Sequence, residues 1–186
     1  MTHHWVAASA RNLADWHDSS LRALGVDTLR TDALWSRKAT RPPKPNVPEL
    51  DIKLVEDVAA LEEFGIATWE GFETEEVNRE AGPLGMHHPS TLNDPRMRYF
   101  VVSVAGRVVT SAIAYVGDDI VGIYGVSTLP EYRRRGYGKA ITWAAAMSAP
   151  ELDVAVSPDE EARGIERELG FRKIAEYRAW GKKSES

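Results

Sequence analysis

The stretch Val126-Ser-Thr-Leu-Pro-Glu-Tyr-Arg-Arg-Arg-Gly-Tyr-Gly-Lys-Ala-Ile141 decides the reading of this chain. An apolar run leads into a short loop, then Arg133, Arg134 and Arg135, then Gly136 and Gly138, then a segment with helical apolar spacing. Gly136 and Gly138 have no Cβ, so the backbone there can approach a ligand closely and take positive φ. The first N–H groups of a helix have no intrahelical partners, and the helix dipole and nearby guanidinium groups favour an anion at that end. The pattern is that of a phosphate cradle. A P-loop requires Ser or Thr after Gly-Lys, but Gly138-Lys139 is followed by Ala140. A dinucleotide fingerprint requires a third glycine where Ile141 stands. The competing reading is an ordinary helix start with solvated arginines.

Upstream of the cradle, Arg98–Ala105 and Val108–Val116 flank Gly106-Arg107, and Gly117-Asp118-Asp119 turns into Ile120–Ser127. Strands joined by such short turns make an antiparallel meander. Downstream, a helix over Tyr137–Ser148 stops before Pro150. Leu152–Val156 reads as a buried strand parallel to its neighbour across that helix. Asp159–Leu169 reads as a helix closed at Gly170, and Arg172–Trp180 as a last strand. Ahead of the meander lie a strand at Leu50–Val55 and a helix over Asp57–Thr68 with Val58, Leu61, Phe64 and Ile66 on its apolar face. Residues 73–95, rich in Gly and Pro, read as a long loop with one helical turn.

The order β-α, meander, α, β, α, β predicts an α/β (α+β) fold. It has a mixed, mostly antiparallel sheet and helices on both faces. Residues 5–24 carry Trp5, Leu13, Trp16, Leu21 and Leu24 at helical spacing and end at Gly25; a short strand is expected at Ala33–Trp35. The proline-rich connector Arg41–Pro48 separates a helical N-terminal extension, residues 1–48, from a main domain, residues 49–181, with a frayed tail at 182–186. Trp16 and Trp35 read as packing anchors for the extension.

The chain contains no cysteine, which excludes disulfides, a thiolate nucleophile and cysteine-ligated metal. Its 28 acidic residues against 23 basic ones argue against bulk nucleic-acid binding, since Arg133–Arg135 is the only dense cationic run. No apolar run approaches the roughly 20 residues needed to span a bilayer, and no signal segment is visible, so a cytoplasmic protein is expected. His87 and His88 are adjacent and lack a third ligand at useful spacing, so no metal site is expected.

The run Val126–Ile141, with Leu169-Gly170-Phe171 behind it, resembles the coenzyme-A pyrophosphate loop of the GNAT family, the Gcn5-related N-acetyltransferases. The resemblance covers roughly residues 50–180. It implies acetyl-CoA as co-substrate and an amine acceptor, in a monomer or homodimer that binds neither nucleic acid nor membrane. It also implies that the strand before the cradle splays from Leu152–Val156, leaving main-chain groups of Val126, Ser127 and Thr128 to bond pantetheine. Backbone N–H groups of Arg134, Arg135, Gly136, Tyr137, Gly138 and Lys139 would hold the pyrophosphate, with the side chains of Arg133–Arg135 adding charge. The N–H of Val126 would face the thioester oxygen.

The family often carries a tyrosine, as acid for the leaving thiolate, at the position held here by Glu166. Glu166 is a candidate acid if burial raises its pKa; the competing reading is a solvated helix face in a charged run. Strand alternation places Tyr124 on the face of Val126, as a pocket-lining or catalytic candidate or simply a packing residue. His87 and His88, in the long loop, are candidates for the acceptor site. Ser127 and Ser157 are conceivable nucleophiles without a His–acid partner in sequence. Glu73, Glu75 and Glu76 could attract a cationic amine or form a solvated face. The leading expectation is direct acetyl transfer to the amine of a small molecule or peptide. A non-catalytic acyl-CoA sensor or interaction module on the same fold is the alternative.

Overall fold

The computed structural model describes residues 27–39, 46, 50–73 and 81–181, with side chains described in all of these except 27–31 and 178–181. The expected helix over residues 5–24, most of the connector and the tail lie outside the described residues. Strands β1 (Asp27–Arg37) and β2 (Ile52–Leu54) precede helix α1 (Val58–Phe72). After a 3-10 turn at Pro89–Asn93 come β3 (Met97–Val104), β4 (Arg107–Val116) and β5 (Ile120–Thr128). A second 3-10 turn, Pro130–Tyr132, leads to α2 (Tyr137–Ala146), β6 (Asp153–Val156), α3 (Arg163–Glu168) and β7 (Arg172–Gly181).

The strands form one sheet in the order β2-β3-β4-β5-β6-β1-β7. Every neighbouring pair is antiparallel except β5 and β6, which run parallel. A parallel pair needs a crossover, and α2 supplies it. Alternation along the strands makes two cores. Leu61, Phe64 and Ala67 of α1 pack with Tyr99, Val101, Val108 and Ile113 on one face. Ile141 and Ala145 of α2 pack with Val102, Val109, Ala112, Ala114 and Val121 on the other, joined by Leu169 and Phe171 beyond α3.

The mixed sheet with helices on both faces is as the sequence predicts, and the meander lies within a residue or two of its expected bounds. Three details differ. The short strand expected at Ala33–Trp35 is an 11-residue strand, β1, that lies between β6 and β7. Its Ala33 and Trp35 are buried in the α2-face core, so this part of the extension is built into the sheet. Helix α1 continues to Phe72, where Glu73 caps it in the left-handed conformation. Helix α3 starts later than expected, because the Asp159 carboxylate accepts from the Ala162 N–H in a turn of its own.

The β3–β4 turn centres on Ala105 and Gly106, both at positive φ (51° and 81°). That is the backbone of a two-residue hairpin turn, which favours Asn-Gly. Ala105 is exposed and carries a Cβ where the left-handed region penalises one. Ala105→Asn is expected to raise the unfolding free energy by about 1 kcal/mol, measured by urea denaturation, without changing the denaturant slope.

Candidate active site

Strands β5 and β6 pair from Ile120↔Asp153 to Ile123↔Val156, and there the pairing ends. Strand β5 continues for five more residues, Tyr124–Thr128, with no β6 partner. On its other side the ladder with β4 shifts register between Ser111↔Ser127 and Ile113↔Tyr124. Two residues of β5, Gly125 and Val126, therefore face the single residue Ala112. Gly125 takes φ +57°, the left-handed first position of a glycine bulge.

The bulge resets alternation. Tyr124 lies opposite Ile113 of the α1-face core, whereas Val126 packs against the α2-face core. The expectation that these two residues share a face is thus corrected, because a bulge inserts one residue into a period of two. Tyr124 is 58% exposed, and its ring lies over Gly122, where a Cβ would meet the phenol oxygen at 2.5 Å.

Beyond the bulge, two hydroxyl pairs fasten β5 to β4. Ser111 Oγ and Ser127 Oγ lie 2.8 Å apart, and Ser111 Oγ reaches Thr68 Oγ1 of α1 at 3.0 Å. Thr110 Oγ1 donates to the Ser127 carbonyl at 2.5 Å and lies 2.9 Å from Thr128 Oγ1. Ser127 is buried and engaged in this network. Ser157 Oγ pairs with the Tyr177 hydroxyl at 2.8 Å. Neither serine contacts a histidine or an acid among the described residues.

The cradle follows directly. Arg134 and Gly136 both take positive φ, 62° and 85°. Gly136 is the N-cap of α2 and no side chain caps that end. Among the described residues, no backbone carbonyl accepts from the N–H groups of residues 134–139; the first such bond is Ala140 N–H to the Gly136 carbonyl, at 3.0 Å. A free N-terminus of a ten-residue helix, with Arg134 and Arg135 beside it, is suited to a phosphate. Arg135 lies over the Tyr132 ring at 5.3 Å, and Tyr132 stacks on Tyr137. The Arg133 guanidinium turns away from the cradle, donating to the carbonyls of Thr128 and Gly71 at 3.2 and 2.8 Å.

Helix α3 packs beside the cradle: the Cδ1 of Ile165 is 3.6 Å from where a Gly138 Cβ would stand, and Lys139 pairs with Glu168 at 2.7 Å. On this helix Glu166 is 3% exposed, and its Oε2 is buried without a hydrogen-bond partner. The expectation of a solvated glutamate is therefore corrected. Burial, reinforced by the nearby Asp159 charge, pushes its pKa up from 4.5 to about 7 against the lowering effect of a backbone hydrogen bond.

The histidines divide. His87 is 8% exposed and packs edge-on against Phe64 and Tyr99, at 5.1 and 5.6 Å. Burial lowers its pKa, disfavouring the charged imidazolium. His88 is exposed and its Nδ1 caps the Pro89–Asn93 turn at the Ser90 N–H. Glu73 pairs with Arg133 at 3.3 Å; Glu75 and Glu76 lie outside the described residues. Among the described residues no three His, Asp or Glu side chains group to hold a metal ion, and no helix is long and apolar enough to cross a membrane.

The family model for the acetyltransferase (GNAT) family matches residues 60–171, from α1 to the residue after Gly170. The chain belongs to the GNAT family. Solved structures share the fold. A GCN5-related N-acetyltransferase from Kribbella flavida is 21% identical with a TM-score of 0.68, over 89% of this chain and 63% of that one. One from Sphaerobacter thermophilus is 20% identical with a TM-score of 0.63, over 96% of this chain and 58% of that one. A predicted acetyltransferase from Clostridium acetobutylicum, solved with acetyl-CoA, is 12% identical with a TM-score of 0.56, over 68% of this chain and 92% of that one. The chain thus spans less than two thirds of the length of the first two. No curated protein sequence matches it. As a GNAT protein it carries an acetyl-transfer fold.

Glu166 has a thermodynamic signature. Its folded pKa, about 7, lies above the ordinary 4.5. Below pH 4.5 both states are protonated and burial costs nothing electrostatically. Between the two values the unfolded chain ionises while the folded one holds its proton, so stability falls as pH rises, and the loss is complete above pH 7. Glu166→Gln is expected to match the parent near pH 4 and to exceed it on the order of 3 kcal/mol at pH 8, read from paired denaturation curves.

Proposed function

We propose that this chain transfers the acetyl group of acetyl-CoA directly to the amine of a small molecule or peptide. The observation that carries the reading is the uncapped, twin-glycine start of α2, directly behind a stretch of β5 that β6 has left. The cofactor, when bound, supplies an activated acetyl thioester. The residues fit its two ends: six N–H groups, from Arg134 to Lys139, lack a described backbone acceptor and suit a diphosphate. The open edge at Tyr124–Thr128 suits the amides of an extended pantetheine arm, as strand edges accept extended chains. The acetyl-CoA in the Clostridium acetobutylicum structure agrees with this choice.

Side-by-side binding aligns amine and thioester and supplies much of the acceleration. As the amine nitrogen attacks the carbonyl carbon, charge would gather on oxygen, and the N–H of Val126, beside the Gly125 bulge, is the group we assign to stabilise it. When the C–S bond of bound acetyl-CoA broke, the proton from the amine nitrogen would pass to water and the departing thiolate would take one from an acid of the chain. Glu166, buried on the helix that packs beside the cradle, is the donor we assign: with its pKa raised to about 7, roughly half of it carries a proton to give at neutral pH. Tyr124, exposed on the α1 face beside the bulge, lines the acceptor approach.

Calorimetry with acetyl-CoA tests the reading. The wild-type protein should bind. Replacing both Arg134 and Arg135 by Ala should weaken binding about 10- to 100-fold, the worth of one or two charge-assisted bonds. Gly136→Val, a β-branched residue at φ +85°, should abolish binding in protein that still folds. Turnover is read with a thiol reagent on a panel of amino acids, polyamines, aminosugars and peptides; the cysteine-free chain gives no background. Tight binding with no CoA release from any amine would identify a non-catalytic acyl-CoA module instead.

A further inference from the structure

Helix α1 ends against β5, and an arginine closes the joint. A Cβ on Gly71 would stand 2.7 Å from Ser127 Oγ and 3.2 Å from the Thr128 nitrogen, so only glycine lets the last turn of α1 come this close. The Gly71 carbonyl is among the last of the helix and has no intrahelical donor. Arg133 fills that need: Nη2 donates to the Gly71 carbonyl at 2.8 Å and to Glu73 Oε2 at 3.3 Å, while Nε donates to the Thr128 carbonyl at 3.2 Å. One planar fork thus joins the end of α1 to the end of β5, with a cation at a helix C-terminus, where the dipole favours it. Arg107 makes a second link, to Glu70 at 2.7 Å and Glu131 at 3.0 Å. Both links run from the last turn of α1 to the chain between β5 and the cradle.

Arg133 therefore occupies two structures at once. Its backbone enters the cradle one residue before Arg134, and its side chain is spent on α1. We propose that Arg133 is a positioning residue rather than a phosphate ligand: it couples the cradle to the last turn of α1, so that cofactor binding firms the wall that abuts Ser127 and Thr128 beside the reacting centre. The proposal rests on the acetyl-CoA reading. Its physical content is that ordering the N–H groups from Arg134 onward immobilises Arg133, and the fork passes that restraint to Gly71 and Glu73.

Two variants and two measurements test it. Acetyl-CoA affinity by calorimetry should change less than about twofold in Arg133→Ala and Arg133→Lys, in contrast to the loss expected for Arg134 and Arg135. Hydrogen exchange of the amides of residues 69–73 should speed up in both variants without ligand. In the wild type, saturating acetyl-CoA should slow those amides at least about tenfold, and in both variants it should leave them unchanged while still slowing the amides of α2. Lysine keeps the charge but cannot span three acceptors, so a lysine variant that behaves like wild type would overturn the fork. An Arg133→Ala variant that loses acetyl-CoA as severely as the Arg134/Arg135 pair would make it a phosphate ligand after all. Wild-type α1 amides indifferent to bound acetyl-CoA would end the coupling, even with the cofactor reading intact. Failure of the wild type to bind acetyl-CoA would instead sink that reading, while ligand-free exchange in Arg133→Ala would still report whether the brace holds α1.

Discussion

The parting of β5 from β6 at Ile123 and Val156 is the constraint on which the rest of the molecule depends. Because the two strands run parallel, the chain between them must cross the sheet, and α2 is that crossing. Its first turn therefore lies where β5 ends, and the uncapped helix start and the stretch of β5 beyond β6 become neighbours by topology. An edge left without a partner normally invites aggregation or is covered. Here it lies inside the sheet, where β6 ends at Val156 and β5 runs on to Thr128. The Gly125 bulge adds the last element by turning Val126 out of the ladder's period.

What the sequence made legible follows from which residues have few physical roles. Glycines at Gly136 and Gly138 next to three arginines have a restricted set of uses, and the backbone there does take the left-handed conformation at Gly136. The meander was readable because short turns join alternating apolar runs. Strand β1 was not readable as a central strand, because its partners β6 and β7 lie more than a hundred residues away in sequence and nothing local announces them. The bulge was hidden for a similar reason: a single glycine in a strand does not say whether it inserts a residue, so Tyr124 and Val126 were placed on one face. The charges around Glu166 left two readings open, a buried acid or a solvated face. The signal that could have decided between them is the spacing of three from Glu166 to Leu169, which puts both on the inward face of α3. Arg133, too, shares its composition with the cradle arginines and differs only in where its side chain ends.

The burial of Glu166 bears on whether the fold binds or also reacts. A buried carboxyl with one oxygen left without a partner destabilises the folded chain at every pH above its ordinary pKa, and glutamine or leucine would remove that cost. A module that merely held acyl-CoA would gain nothing from it, since a neutral side chain packs against a ligand as well. A proton donor, by contrast, has to be an acid, and it works near neutral pH only if its surroundings raise its pKa by about the amount seen here. Local instability without a structural return is characteristic of positions chosen for chemistry. That argument favours turnover over sensing, and it does so from a buried position in α3 where a neutral residue would make the folded chain more stable.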